Sequence, residues 1–206
     1  MQIEIDGDGD TIVMLAHGAG ANKDGKTLLR IRDSLVERGL KVARFNFLYK
    51  EEGRSFPDRM PQLIERYAEA TEQVRGEAKR LILSGHSMGG RTASMMAAEG
   101  FAMDGLVCFA YPLHPVGQPG KLRDEHLPRI VVPAIFINGT NDEFCTKALM
   151  EEIVPRLEPT FRMQWIEGAD HGLTVKKRET GRSNAEVMQE IGETLQGWLG
   201  GALPQG

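Results

Sequence analysis

The sequence predicts an α/β fold, a mostly parallel central sheet with helices on both faces. Three observations lead there. Six short apolar runs are rich in Val, Ile, Leu and Phe and show little alternation, as strands covered on both sides do. Between them lie stretches whose apolar residues recur at three and four positions, the period of a helix. The two patterns then alternate along the chain, which implies βαβ units with right-handed crossovers.

Taken in order, the elements are as follows. Gln2–Ile5 places Ile3 and Ile5 in alternation with polar residues, and Asp8-Gly9 follows as a turn, so this segment is expected to pair antiparallel at a sheet edge. Thr11–Ala16, Lys41–Phe47, Arg80–Ser84, Gly105–Tyr111, Val131–Ile137 and Arg162–Ile166 read as the main strands. Leu28, Ile31 and Leu35 share one helical face, which Gly39 closes. Leu63, Ile64, Tyr67 and Val74 mark a second helix, and Leu149, Ile153 and Leu157 a third whose regularity Pro155 limits. Val187, Ile191 and Leu195 fall four apart, and Ser183 with Glu186 gives a capping box at the start of that last helix. No linker divides the chain, so residues 1–206 read as one domain with a core from about 11 to 199 and a frayed tail.

Composition narrows the function. The 206 residues are 41% hydrophobic and 26% charged with a net charge of −4, so no excess of basic groups exists to neutralise nucleic-acid phosphates. The longest apolar run, Ile130–Ile137, has eight residues and contains Pro133. A membrane-spanning helix needs about 20. The start, Met1-Gln2-Ile3-Glu4, lacks the basic and apolar regions of a signal peptide. Cys108 and Cys145 form neither a disulfide framework nor a CxxC pair. These features point to a soluble cytoplasmic protein with neither nucleic acid nor membrane as partner.

In a parallel sheet ligands bind beyond the carboxyl ends of the strands, so the loops there are where chemistry is expected. After Arg80–Ser84 comes Gly85-His86-Ser87-Met88-Gly89, a G-x-S-x-G turn between a strand and a helix. With 24 Gly and six Ser, a shuffled chain would show this pattern only about 0.08 times. The turn strains the serine backbone and lifts its hydroxyl above the sheet, making Ser87 the candidate nucleophile. A hydroxyl needs a base to take its proton. His171 follows the last strand in Gly168-Ala169-Asp170-His171-Gly172 and is the candidate base. The orienting carboxylate is expected between serine and histidine in the chain, and Asp142 follows Val131–Ile137 at a loop tip. Its rivals are Glu143 and Asp170. Backbone N–H groups of Ala19, in His17-Gly18-Ala19-Gly20, and of Met88 are the candidate oxyanion hole.

The order HGAG, GHSMGG, GTND, GADH resembles the α/β-hydrolase fold from about Thr11 to Leu199. It is most similar to small bacterial members related to dienelactone hydrolase and to the group named for testis-expressed protein 30. Arg44-Phe45-Asn46-Phe47, Tyr111-Pro112-Leu113-His114-Pro115 and Glu125-His126-Leu127-Pro128 look like that group's own habits. Dienelactone hydrolase itself has a cysteine nucleophile where this elbow carries serine. Leu48 and Glu143 stand where prolines are expected, changes at the pocket rim.

The resemblance implies a serine hydrolase acting on a small acyl ester or thioester through an acyl-enzyme, with no cofactor and no metal. Pro112–Ile130, 19 residues with four prolines, is too short for the lid domain many lipases insert at this point. His114 and His126 within it are read as hydrogen-bonding loop residues, or alternatively as part of a wall of the site near Ser87. Arg44 and Arg54 are read as surface charges, or alternatively as partners for a substrate carboxylate. Two other functions remain open at this stage, a catalytically idle binding or scaffold module and an acyltransferase using the same triad.

Overall fold

A computed structural model describes residues 1–202; the tail beyond them, expected to fray, lies outside the described residues. The chain runs β1 (Ile3–Asp6), β2 (Thr11–Ala16), α1 (Lys26–Val36), β3 (Lys41–Phe45), α2 (Leu48–Glu51), α3 (Met60–Arg75), β4 (Arg80–His86), α4 (Met88–Ala98) and β5 (Gly105–Phe109). It continues with β6 (Ala134–Gly139), α5 (Lys147–Ile153), β7 (Phe161–Ile166), α6 (Lys177–Thr180) and α7 (Asn184–Ala202). Among the described residues no helix is long and apolar enough to cross a membrane.

The strands form one sheet in the order β1-β3-β2-β4-β5-β6-β7. All neighbours are parallel except β1, which pairs antiparallel with β3, Ile3 opposite Phe45 and Asp6 opposite Val42. The edge position matches expectation. The partner is not the next strand in the chain, because both edges of β2 are occupied by β3 and β4.

Side chains alternate across each strand and so divide the core in two. Ile12 and Met14 of β2 join Phe45, Leu83, Cys108 and Phe136 beneath Leu63, Tyr67 and Met96 of α3 and α4. Val13 and Leu15 join Val42, Ile82, Val107 and Ile135 beneath Leu28, Ile31 and Leu35 of α1 and Val187, Ile191 and Leu195 of α7. The helical ends follow local chemistry. Gly39, at φ 74°, donates its N–H to Val36 O at 2.9 Å beyond α1. Ser183 N–H donates to Glu186 Oε2 at 2.7 Å, while Glu186 N–H donates to Ser183 Oγ at 3.2 Å, closing the capping box.

Three strands are shorter than the apolar runs suggest. β6 begins at Ala134 because Pro133 has no N–H to give the ladder, and Val131 is left 71% exposed. β5 stops at Phe109 because Ala110 turns to φ 49°. β3 stops at Phe45, after which Phe47 N–H leaves the sheet to donate to His17 Nε2 at 3.2 Å.

Candidate active site

The carboxyl ends of β2, β4, β6 and β7 deliver four loops to one place. Gly85 and Gly89 close the turn after β4, and a Cβ on Gly89 would collide with the carbonyl of Ala16 on β2. Between them Ser87 adopts φ 54° and ψ −116°, a conformation L-residues avoid, and its N–H donates to Phe109 O at 2.8 Å. This strain lifts the hydroxyl off the sheet. Ser87 also precedes α4, whose first N–H groups, Met88 among them, have no intrahelical acceptor.

The loops after β6 and β7 are stitched together. Gly168 N–H donates to Thr140 Oγ1 at 2.8 Å and Asn141 N–H donates to Ala169 O at 2.9 Å. That fixes Asp142 against His171. Both carboxylate oxygens lie 2.9 Å from His171 Nδ1, and Nε2 of the same ring lies 2.8 Å from Ser87 Oγ. Asp142 is buried and also accepts Phe144 N–H at 2.8 Å. The Phe144 ring lies against the imidazole with centroids 4.2 Å apart. The chemistry implied is proton transfer from a hydroxyl to an imidazole whose tautomer a carboxylate fixes.

The rival carboxylates are elsewhere. Asp170 accepts N–H bonds from Gly172 and Thr174, both at 2.9 Å, and the Thr174 hydroxyl at 2.7 Å, so it shapes its own loop. Glu143 is exposed and takes no part in the Ser87–His171–Asp142 chain.

Around Ala19 the backbone is held from behind. Phe47 N–H can only donate, so His17 Nε2 is the acceptor and its Nδ1–H donates to Gly18 O at 2.9 Å. Burial pushes the His17 pKa down to about 4, which keeps this neutral form. Ala21 N–H also donates to Gly18 O, and the Tyr49 hydroxyl donates to Ala19 O at 2.8 Å. In a trans peptide the N–H points opposite to the carbonyl, so Ala19 N–H faces away from the His17 ring. Gly18, Ala19, Ser87, Met88 and His171 line one cavity of about 440 Å³.

Several further residues carry this arrangement. Asn138, buried at the end of β6, accepts Tyr111 N–H at 3.1 Å and donates to Tyr111 O at 3.0 Å and Asp142 Oδ2 at 3.3 Å. No local pattern marks it, since an Asn before Gly reads as a turn residue. His86 also lines the cavity, its ring centroid 5.2 Å from that of His171, and its Nε2–H donates to the backbone oxygen of His171 at 2.8 Å. Arg91 and Arg123 also face the cavity. Arg91 was legible in principle, because it lies one helical turn after Ser87.

His114 and His126 have hydrogen-bonding roles. His114 Nε2 accepts Thr146 N–H at 3.1 Å, and its Nδ1–H donates to Pro115 O at 3.0 Å. His126 Nε2–H donates to Ser94 Oγ at 2.8 Å, since the Ser94 hydrogen goes to Arg91 O. Arg44 is neither a surface charge nor a substrate partner. It is 4% exposed and pairs with Asp6 and Asp24, both at 2.9 Å, because β1 and the loop before α1 close over it. Arg54 is a surface residue paired with Glu52 and Asp58. Among the described residues no cap domain is inserted between β5 and β6, only a 3-10 turn at Leu127–Arg129.

Comparison with solved structures agrees with this architecture. A putative alpha/beta hydrolase from Agrobacterium tumefaciens superposes with a TM-score of 0.77 at 18% identity, covering 99% of this chain and 94% of that one. Dienelactone hydrolase from Anabaena variabilis gives 0.73 at 19% identity, covering 98% and 91%. A serine hydrolase without a lid from Xanthomonas campestris gives 0.72 at 18% identity, covering 99% and 90%. At such identities the likeness is one of fold. The family model for the alpha/beta hydrolase domain matches residues 9–200, and the chain therefore belongs to the alpha/beta hydrolase superfamily.

Proposed function

We propose that this hydrolase cleaves small acyl esters or thioesters through a Ser87–His171–Asp142 triad and an acyl-enzyme intermediate. The observation that carries the reading is the unbroken hydrogen-bond chain, 2.8 Å from Ser87 Oγ to His171 Nε2 and 2.9 Å from His171 Nδ1 to Asp142. Ser87 Oγ bonds to the acyl carbon as its proton passes to His171 Nε2. The carbonyl oxygen becomes an oxyanion, which the N–H groups of Ala19 and Met88 receive. The bond to the leaving oxygen or sulfur breaks, and His171 returns the proton to that atom. Water then attacks the acyl-enzyme, giving one proton to His171, which passes it to Ser87 as the carboxylic acid departs. Asp142 keeps Nδ1 protonated and offsets the imidazolium charge. The cycle draws on no cofactor or metal.

A fluorophosphonate probe is the direct test, read together with turnover of 4-nitrophenyl acetate and butyrate. Labelling confined to Ser87 and lost in a folded Ser87→Ala variant supports the reading. Labelling that persists in that variant, or a folded wild-type protein inert to probe and esters, removes it.

A further inference from the structure

The cavity that holds Ser87 and His171 is also lined by charge the triad does not need. Arg91 projects from α4 one turn after Ser87, and Arg123 comes from the segment between β5 and β6; both line the cavity that holds Ser87 and His171. Neither guanidinium forms an ion pair with a carboxylate among the described residues. The nearest acid in sequence, Asp124, is taken by Arg156 at 3.2 Å. Arg91 Nε is enclosed and has no hydrogen-bond partner.

Arg123 is firmly built in. Its N–H donates to Leu113 O at 2.8 Å, its carbonyl accepts the Tyr111 hydroxyl at 2.5 Å, and its Nη1 donates to Pro112 O at 3.2 Å. Burial and the neighbouring Arg91 charge both act against its protonated form. Two half-buried guanidiniums held near each other without a counter-ion are costly, and an enclosed N–H without an acceptor adds to that cost. An anion placed between the two guanidiniums offsets their charge. The oxyanion of acyl transfer is assigned instead to the backbone N–H groups of Ala19 and Met88.

We propose that Arg91 and Arg123 form an anion-binding subsite beside Ser87, so that the substrate is an ester or thioester carrying a carboxylate or phosphate group. The site rests on the reading of Ser87 as nucleophile only for its role in turnover; anion binding itself does not. Guanidinium forks match the planar oxygens of a carboxylate and the tetrahedral oxygens of a phosphate. The anion has a second effect. His171 becomes an imidazolium during the reaction, and two uncompensated arginines nearby oppose that charge. A substrate that neutralises them lowers the barrier as well as binding, so discrimination falls on kcat and KM together.

Two esters of nearly equal reach separate this from simple size selection, 4-nitrophenyl butyrate and mono-4-nitrophenyl glutarate. The expected result is a kcat/KM at least about tenfold higher for the glutarate ester. That ratio falls by a similar factor in Arg91→Met and Arg123→Met and recovers in part in the corresponding Lys variants. Fluorophosphonate labelling of Ser87 reports that each variant is folded. Inorganic phosphate and free glutarate, titrated into Ser87→Ala by calorimetry, distinguish the two anions. Binding of phosphate alone, lost in the Arg variants, assigns the subsite to phosphate esters. Equal rates on the two esters with binding of neither anion overturn the proposal, as does a glutarate preference that survives the double Arg→Met variant. If neither ester is turned over and no probe labels Ser87, while Ser87→Ala still binds either anion, the subsite stands and the hydrolase reading fails.

Discussion

Asp142 and His171 stand 29 positions apart in the chain, yet both oxygens of the carboxylate lie 2.9 Å from the imidazole Nδ1. Asp170, adjacent to the histidine, spends its oxygens on Gly172 and Thr174. We expect Asp142→Asn to lower turnover by roughly 10²-fold or more, through the wrong histidine tautomer. Asp170→Asn keeps one acceptor oxygen for its loop and should change turnover far less. Turnover numbers on one ester at one pH, with circular dichroism to check folding, decide between them. A nearly silent Asp142→Asn would displace it from the triad.

Asn138 is expected to matter for stability before it matters for rate. Asn138→Ala strands the N–H and carbonyl of Tyr111 in a buried setting and removes a donor from Asp142. The cost should be about 2–4 kcal/mol, measured as a lower urea midpoint with an unchanged slope. A loss below about 0.5 kcal/mol would show that other groups satisfy Tyr111.

Stability should fall as pH falls from neutrality. Burial pushes the pKa values of His17, His86 and His126 down to about 4 from 6.5. Above 6.5 these groups are neutral in both the folded and unfolded chain and contribute no slope. Between about 6.5 and 4 the unfolded chain takes up protons that the folded one refuses, so each histidine contributes at most about 1.4 kcal/mol per pH unit of destabilisation. Below about 4 the folded protein protonates as well, and their contribution levels off. Urea midpoints from pH 7.5 to 4.5 test this, with His17→Asn expected to make the dependence shallower. A profile that His17→Asn leaves untouched would mean the ring titrates normally.

The elbow should refuse a methyl group. Gly89→Ala would push a Cβ into the Ala16 carbonyl, and the sheet on one side and α4 on the other leave little room to yield. We expect a loss of more than about 2 kcal/mol or failure to accumulate as soluble protein. A well-folded Gly89→Ala with normal labelling at Ser87 would show that the turn tolerates wider spacing.

Acyl-chain preference should be short, with no activation by lipid interfaces. The cavity of about 440 Å³ is bounded by Phe144, Pro112 and Met88, and no inserted cap exists among the described residues to open. Rates on acetate-to-laurate esters, measured across the aggregation threshold of the longer ones, should decline with length and show no jump. A steep rise above that threshold would contradict it.

The sheet was legible because its strands are buried on both faces, leaving apolar runs that stand out from helical ones. Their ends were less so, since Pro133 and the positive φ of Ala110 act through single hydrogen bonds that hydrophobicity does not register. In the site, Ser87 announced itself because a strained turn demands glycines at fixed spacing. The role of Asn138 lies in a bond to Tyr111, 27 positions away, and no local pattern encodes that. Arg44 misled for a similar reason. A charged side chain reads as surface until the partners that bury it, Asp6 and Asp24, are seen to converge.

The stitches between the loops after β6 and β7 make Asp142 and His171 one mechanical body, while Ser87 rides on another made of β4 and α4. Across the seam run the bonds from His86 to the His171 carbonyl and from Ser87 to the His171 ring. Warming should therefore separate the two bodies before it loosens either. Acid–base pairing would outlast contact with the hydroxyl, and catalytic competence would fade, reversibly, at temperatures where the sheet is still intact.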